Sequence, residues 1–175
     1  NNVITLIVDE YQEKRLNSPN DVCVHSNGAI FFTDPPYGII NPKRVEGFPG
    51  KMMYGGCYVF KYDPKTKLLE AIVTDMESPN GIAFSPNESQ LFISNTGDTK
   101  YIRRYDIDKN LKISNSIEFA RTDPDYVMDG FRFDSENNLW TSCGDGVACY
   151  ATSGEQIGYI KVPERVSNID FGGED

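Results

Sequence analysis

Apolar and polar positions alternate along this chain in short runs, and polar breakers separate one run from the next. Ile30-Phe31-Phe32-Thr33-Asp34, Tyr58-Val59-Phe60-Lys61-Tyr62-Asp63 and Leu68 to Val73 make one series. Leu91-Phe92-Ile93-Ser94-Asn95, Ile102-Arg103-Arg104-Tyr105-Asp106 and Ile113 to Phe119 make a second. Leu139-Trp140-Thr141-Ser142, Val147-Ala148-Cys149-Tyr150 and Gln156 to Val162 make a third. A period of two marks strands. Helical periodicity is nearly absent, because Pro, Gly or Asn interrupts the apolar stripes that a helix needs. The pattern predicts an all-β protein, with Trp140 at the place of Phe31 and Phe92 in the core between units.

A recurring phrase introduces each series. Ser18-Pro19-Asn20-Asp21-Val22 returns as Ser78-Pro79-Asn80-Gly81-Ile82, then as Met128-Asp129-Gly130-Phe131, and in clipped form as Ser167-Asn168-Ile169. The copies stand roughly 40 to 60 residues apart, near the length of a four-stranded propeller blade. The longest interval carries an insertion between Tyr37 and Gly56. At about 50 residues per blade, the chain covers about three and a half blades. It begins on a run that reads as a strand, Val3 to Val8, and ends within another unit at Ile169-Asp170-Phe171. Residues 1–175 are therefore expected to be part of a single β-propeller domain whose other blades lie outside this sequence. A small self-contained β-domain is the alternative.

Composition narrows the function. At 39% hydrophobic and 12% aromatic, the chain is too apolar for disorder. The net charge is −9, and no run of basic residues exceeds Lys14-Arg15, Lys43-Arg44 or Arg103-Arg104. That argues against nucleic acid and against anionic membrane surfaces as partners. No stretch approaches the ~20 apolar residues of a membrane span, so a soluble protein is expected. Cys23, Cys57, Cys143 and Cys149 form no Cys-x-x-Cys pair, and His25 is the one histidine. A zinc site of the Cys/His kind is not supported. The thiols read as reduced structural residues. Cys23 and His25 share one strand face with no third group to orient them, so they do not read as a nucleophile pair.

Asn20, Asn80 and Asp129 carry the functional argument. Each stands at the start of a strand, at the same point of its unit. If the units surround an axis, their oxygens converge, and converging oxygens are how a protein holds a hard cation. Pro-Asn-Gly and Pro-Asn-Asp are also turn sequences. Turn formation alone, however, does not select Asp in the third copy.

The sequence Ser18-Pro19-Asn20-Asp21, the phrase Phe32-Thr33-Asp34-Pro35-Pro36-Tyr37-Gly38, the run Pro79-Asn80-Gly81-Ile82-Ala83-Phe84-Ser85-Pro86, Asp129-Gly130 and the final Phe171-Gly172-Gly173 resemble the gluconolactonase / senescence marker protein (regucalcin-like) family. The Thr-Asp-Pro-Pro-Tyr-Gly phrase points to its bacterial-type gluconolactonase branch. The resemblance implies a six-bladed β-propeller with one divalent cation at one end of the central channel. Ca2+ is the usual ion, with Mg2+, Mn2+ and Zn2+ as alternatives. It implies hydrolysis of sugar lactones; related propellers hydrolyse phosphotriesters. Carried over by motif, Asn80 and Asp129 match metal ligands, Asn20 matches a position that contacts metal or substrate, and Asp129 matches the proposed base. The family's remaining ligand is a Glu in Glu-Gly-Pro, and this sequence contains no such tripeptide. That ligand is expected upstream of Asn1.

The resulting expectation is a divalent-metal-dependent hydrolase that opens a small-molecule sugar lactone, D-glucono-1,5-lactone to gluconate. The alternative is a propeller used as a binding scaffold. Around the central three, Arg15 either forks onto a sugar hydroxyl or product carboxylate or is a surface residue. Asp34 either faces the substrate or caps its turn. Asp21 either orients Asn20 or is a solvated turn carboxylate. The insertion from Tyr37 to Gly56 reads as a loop over the channel mouth.

Overall fold

The computed structural model describes residues 3–40, 50–122 and 126–173. Three four-stranded antiparallel sheets follow one another along the chain, each in meander order. The first holds β3 (Val22–Val24), β4 (Ile30–Asp34), β5 (Cys57–Asp63) and β6 (Leu68–Met76). Next come β7 (Pro79–Phe84), β8 (Gln90–Thr96), β9 (Lys100–Ile107) and β10 (Ile113–Arg121). The third is built from β11 (Met128–Phe133), β12 (Leu139–Cys143), β13 (Gly146–Tyr150) and β14 (Gln156–Lys161). A two-residue hairpin, β1 (Glu10–Tyr11) with β2 (Lys14–Arg15), precedes them. These are propeller blades, and their repeat agrees with the series read from the sequence.

Burial explains why the strands carry apolar residues on both faces. Phe31, Val59, Ile82, Leu91 and Ile93 fill the space between the first and second sheets. Phe92, Ile102, Met128, Phe131 and Leu139 fill the space between the second and third. Phe32, Phe60, Tyr54 and Tyr62 cover the outer face of the first sheet. One aromatic contact recurs at each junction. Phe31 meets Phe84 edge-on at 5.0 Å, and Phe92 meets Phe133 at 4.8 Å. Trp140 meets Phe171 at 6.4 Å. Trp140 thus faces the next unit as expected, but it is half-buried, and its indole N–H donates to Asp134 Oδ2 at 2.9 Å.

Two expectations change. Val3 to Val8 belongs to no strand, and Val3, Ile4, Leu6 and Ile7 are exposed. A strand needs a ladder partner, and this run has none among the described residues. The insertion starts with a one-turn helix, α1 (Tyr37–Ile40), where a loop was expected. Pro35 and Pro36 precede it, and the Pro36 carbonyl accepts from Ile39 and Ile40. Residues 41–49 of the insertion lie outside the described residues.

The inner strands pass one another closely. A Cβ on Gly81 would stand 2.0 Å from the Asp129 carbonyl oxygen and 2.9 Å from the Phe131 ring. A Cβ on Gly130 would stand 2.1 Å from Asn168 Oδ1. Both glycines lie within strands and neither has a positive φ, so close approach, not turn geometry, selects them. The obstacle at Gly81 is backbone; at Gly130 it is a side-chain amide that can swing aside. Gly81→Ala should therefore cost about 3 kcal/mol of stability or more, and Gly130→Ala about 1 kcal/mol, in denaturant unfolding of the intact protein. Equal costs would contradict this packing account.

Candidate active site at the channel mouth

Hydrogen bonds between neighbouring blades build the site from its backbone outwards. The Asp21 amide donates to Thr33 Oγ1 at 3.1 Å, and that hydroxyl donates to the Asn80 carbonyl at 2.7 Å. The N–H of the same peptide, on Gly81, donates to Ser94 Oγ at 2.8 Å, and Ser94 Oγ donates to the Asp129 carbonyl at 3.3 Å. The next N–H, on Gly130, donates to the Ser167 carbonyl at 2.9 Å. Thr33 and Ser94 are fully buried. The chain of donors runs in one sense across all three junctions and passes through the peptides of Asn80 and Asp129.

Side chains then project from this frame. Asn20 Nδ2 donates to Asn80 Oδ1 at 2.5 Å, across two blades. Asn80 is 5% exposed, Asp129 half-buried and Asn20 exposed. Asp129 stands on β11 with its backbone against Gly81, the residue after Asn80. The Tyr37 hydroxyl reaches over from α1 to bond Thr96 Oγ1 and approaches the Ser78 carbonyl at 3.4 Å. Burial raises the Tyr37 pKa, and the nearby negative charge of Asp129 adds to that rise. Tyr37 and Thr96 were not singled out from the sequence. The signal available was Tyr37's place directly after Pro35-Pro36, which stiffens its approach.

The structure separates the other sequence candidates from this cluster. Asp34 is fully buried, and it accepts from the Asn17 and Ser18 amides at 2.7 Å each. Asn95 holds the equivalent point of the second blade and accepts from the Ser78 amide at 2.9 Å. Asp34 is thus an anchor for the segment that delivers Asn20, the turn-capping role of the two weighed for it. Asp21 accepts from the Ile82 amide at 3.1 Å and from Val22 at 2.9 Å, so it ties the first blade to the strand of Asn80. Arg15 is exposed on β2, opposite Glu10. Asn168 caps the Ile169 amide at 2.8 Å.

The donor set tests which cation these residues suit. Amide and carboxylate oxygens are hard donors, and imidazole and thiolate are missing from the cluster, so the fit is to a hard ion such as Ca2+ or Mg2+. The Asn20 amide already points at the Asn80 oxygen, and turning it over would bring its own oxygen to the same spot. Among the described residues no group of three or more His, Cys, Asp or Glu comes together to hold a metal. Three side chains would fill only part of the six to eight oxygens Ca2+ takes.

The sequence profile described as the SMP-30/Gluconolactonase/LRE-like region matches residues 1–175. The chain belongs to this family. A gluconolactonase of Zymomonas mobilis is 34% identical over 178 residues, covering 96% of this chain and 49% of that protein. The structure of a Xanthomonas campestris gluconolactonase superposes with a TM-score of 0.88 at 36% identity, over 95% of this chain and 54% of that one. A calcium-binding regucalcin of Agrobacterium tumefaciens shares the fold, with a TM-score of 0.66 at 22% identity over 84% of this chain and 46% of its own. This member of the family therefore spans about half the length of the relatives it matches.

The anchor of the site carries a pH signature. Burial pushes the Asp34 pKa from 3.8 up to about 6, against the pull of its two amide hydrogen bonds. A folded pKa above the unfolded one means that this residue's contribution to stability is whole below about pH 4 and is lost as pH rises through about 6. Asp34→Asn removes the titration along with one accepted hydrogen bond. Urea unfolding of both proteins between about pH 4 and pH 8 should show the stability difference moving in the variant's favour by up to about 3 kcal/mol as pH rises. A difference that does not vary with pH would refute the assignment.

Proposed function

We propose that this chain carries the centre of a lactone hydrolase, with D-glucono-1,5-lactone as substrate and Asn80, Asp129 and Asn20 holding a divalent cation, Ca2+ before Mg2+. The observation that carries the reading is the direct bond between the Asn20 and Asn80 side-chain amides of successive blades, with the Asp129 backbone packed against Gly81, the residue after Asn80. Family membership and the gluconolactonase name of the Zymomonas relative support it. When bound, the cation supplies Lewis-acid polarisation of the lactone carbonyl.

The chain's own residues supply positioning and proton transfer. Asp129, half-buried and with its backbone against Gly81, accepts a proton from the attacking water as its oxygen bonds to the carbonyl carbon. That proton passes to the ring oxygen when the C–O bond breaks, so one water is added and the carboxylate is restored. The Asn20 and Asn80 amides present neutral dipoles, which orient a polar substrate without adding negative charge near the developing oxyanion. Burial keeps the Tyr37 hydroxyl protonated, and it stands near Asp129 as a neutral donor.

Acid release from D-glucono-1,5-lactone by the intact protein tests this reading. Asp129→Asn should lower kcat by about 100-fold or more, the scale of a lost general base. Asn80→Ala and chelation of divalent cations should each suppress turnover, and a phosphotriester should be a poor substrate. Rates untouched by chelator and by Asp129→Asn would overturn the proposal and leave a binding scaffold.

A further inference from the structure

The repeat that places Asn20, Asn80, Asp129 and Asn168 also places a second set of residues, three positions earlier in each copy: Asn17, Glu77, Tyr126 and Arg165. The first three precede the inner strands β3, β7 and β11, and Arg165 lies in the segment after β14. The first two are committed to their own blades. Asn17 Nδ2 donates to the Asp34 and Gly56 carbonyls at 3.1 and 3.2 Å. Glu77 lies over Gly97, where a Cβ would stand 2.1 Å from Oε2, and accepts from the Asp98 amide at 2.8 Å.

Tyr126 and Arg165 differ. Both line one cleft of about 410 Å³, which also contains Asp129, Gly144, Asp145 and Glu164. The Tyr126 ring lies on Gly144, whose φ is +57° and where a Cβ would stand 1.8 Å from a ring carbon. Its carbonyl accepts from Thr122 Oγ1 at 2.9 Å, which anchors its backbone while the ring rests on Gly144. Even so, Tyr126 is 40% exposed. An aromatic face at a cleft wall, with a guanidinium and carboxylates around it, suits a ligand with C–H bonds on one face and hydroxyls on its edge. The carboxylate of Asp145 accepts from Tyr159 Oη at 2.5 Å and pairs with Lys161 at 3.4 Å, which fixes the far wall.

We propose that this cleft receives the polyhydroxylated part of the lactone whose carbonyl stands at Asp129, with Tyr126 as stacking platform and Arg165 as the fork for its hydroxyls. These two residues restrict the centre to sugar lactones. The inference rests on the lactonase reading above and adds to it the residues that select the substrate. They are specificity residues: they touch the substrate away from its reacting bond.

The test compares D-glucono-1,5-lactone with δ-valerolactone, which has the same ring and carbonyl but no hydroxyls, in the intact protein. Tyr126→Ala and Arg165→Met should each raise KM for the sugar lactone about ten-fold, with kcat within a factor of about two, and leave δ-valerolactone kinetics unchanged. Tyr126→Phe keeps the ring and should behave as wild type, which controls for folding. Variants that lose equally on both lactones, or on neither, overturn the cleft assignment while the lactonase reading stands. Wild-type protein that opens neither lactone overturns the lactonase reading and this one with it.

Discussion

The unbroken run of hydrogen bonds through the Asn80 and Asp129 peptides is the constraint on which the rest depends. Thr33 and Ser94 each accept an amide hydrogen from one blade and donate to a carbonyl of the next, so the first two blade junctions are each closed by a buried hydroxyl. Aligned donors polarise one another, and in a buried setting each unmade bond would cost about 1–3 kcal/mol. The frame uses backbone groups and leaves the side chains at the hub out of it. Asn or Asp can therefore stand at the channel position without changing how the blades join. The same separation lets the residues three positions earlier vary from Asn to Glu, Tyr and Arg. A repeat built this way fixes where side chains point and leaves their chemistry open.

That separation explains what was legible in the sequence. The strands were legible because period-two alternation and breaker residues are local signals, and the three hub residues because they recur at one point of the repeat. Asp34 was ambiguous because its role depends on two amides sixteen and seventeen residues earlier, Ser18 and Asn17, which no local pattern connects to it. The Thr-Asp and Ser-Asn pairs at 33–34 and 94–95 do hold the answer in hindsight: a hydroxyl for the junction, then an acceptor for the incoming loop. Gly81 stands in a Pro-Asn-Gly turn sequence, and only the spacing of neighbouring strands shows that it and Gly130 are clearance. Tyr37 was hidden because the insertion it opens breaks the period. Val3 to Val8 has strand composition but gains no ladder here, since composition does not supply a partner.

Two populations of carboxylate result. Asp63, Asp108 and Asp134 hold hairpin turns by accepting backbone amides; these bonds, and for Asp134 first the Trp140 N–H and the Asn138 side chain, keep their pKa values below the usual range. Their contribution is present at neutral pH and falls away in acid. Asp34 behaves oppositely, because its burial outweighs its hydrogen bonds. The loop that delivers Asn20 is thus held by a group whose charge the fold tolerates at a cost, while the turns far from it are held by groups whose charge the fold favours.

Asp34 also calibrates the choice of residues at the hub. It shows what a fully buried carboxylate suffers in this fold even with two short amide bonds. A carboxylate in place of Asn80, 5% exposed and with a single amide partner, would be desolvated nearly as much and satisfied less. At the half-buried third position water still reaches the side chain, so a charge there costs less. The charged oxygen is accordingly found at Asp129 and the neutral one at Asn80. The arrangement puts a carboxylate at Asp129, where solvent reaches it, and a neutral dipole at Asn80, where solvent does not; the exposed Asn20 amide is not explained by burial. Burial thus distributes the labour of the candidate site among chemically similar oxygens, using positions that the repeat alone would have made equivalent.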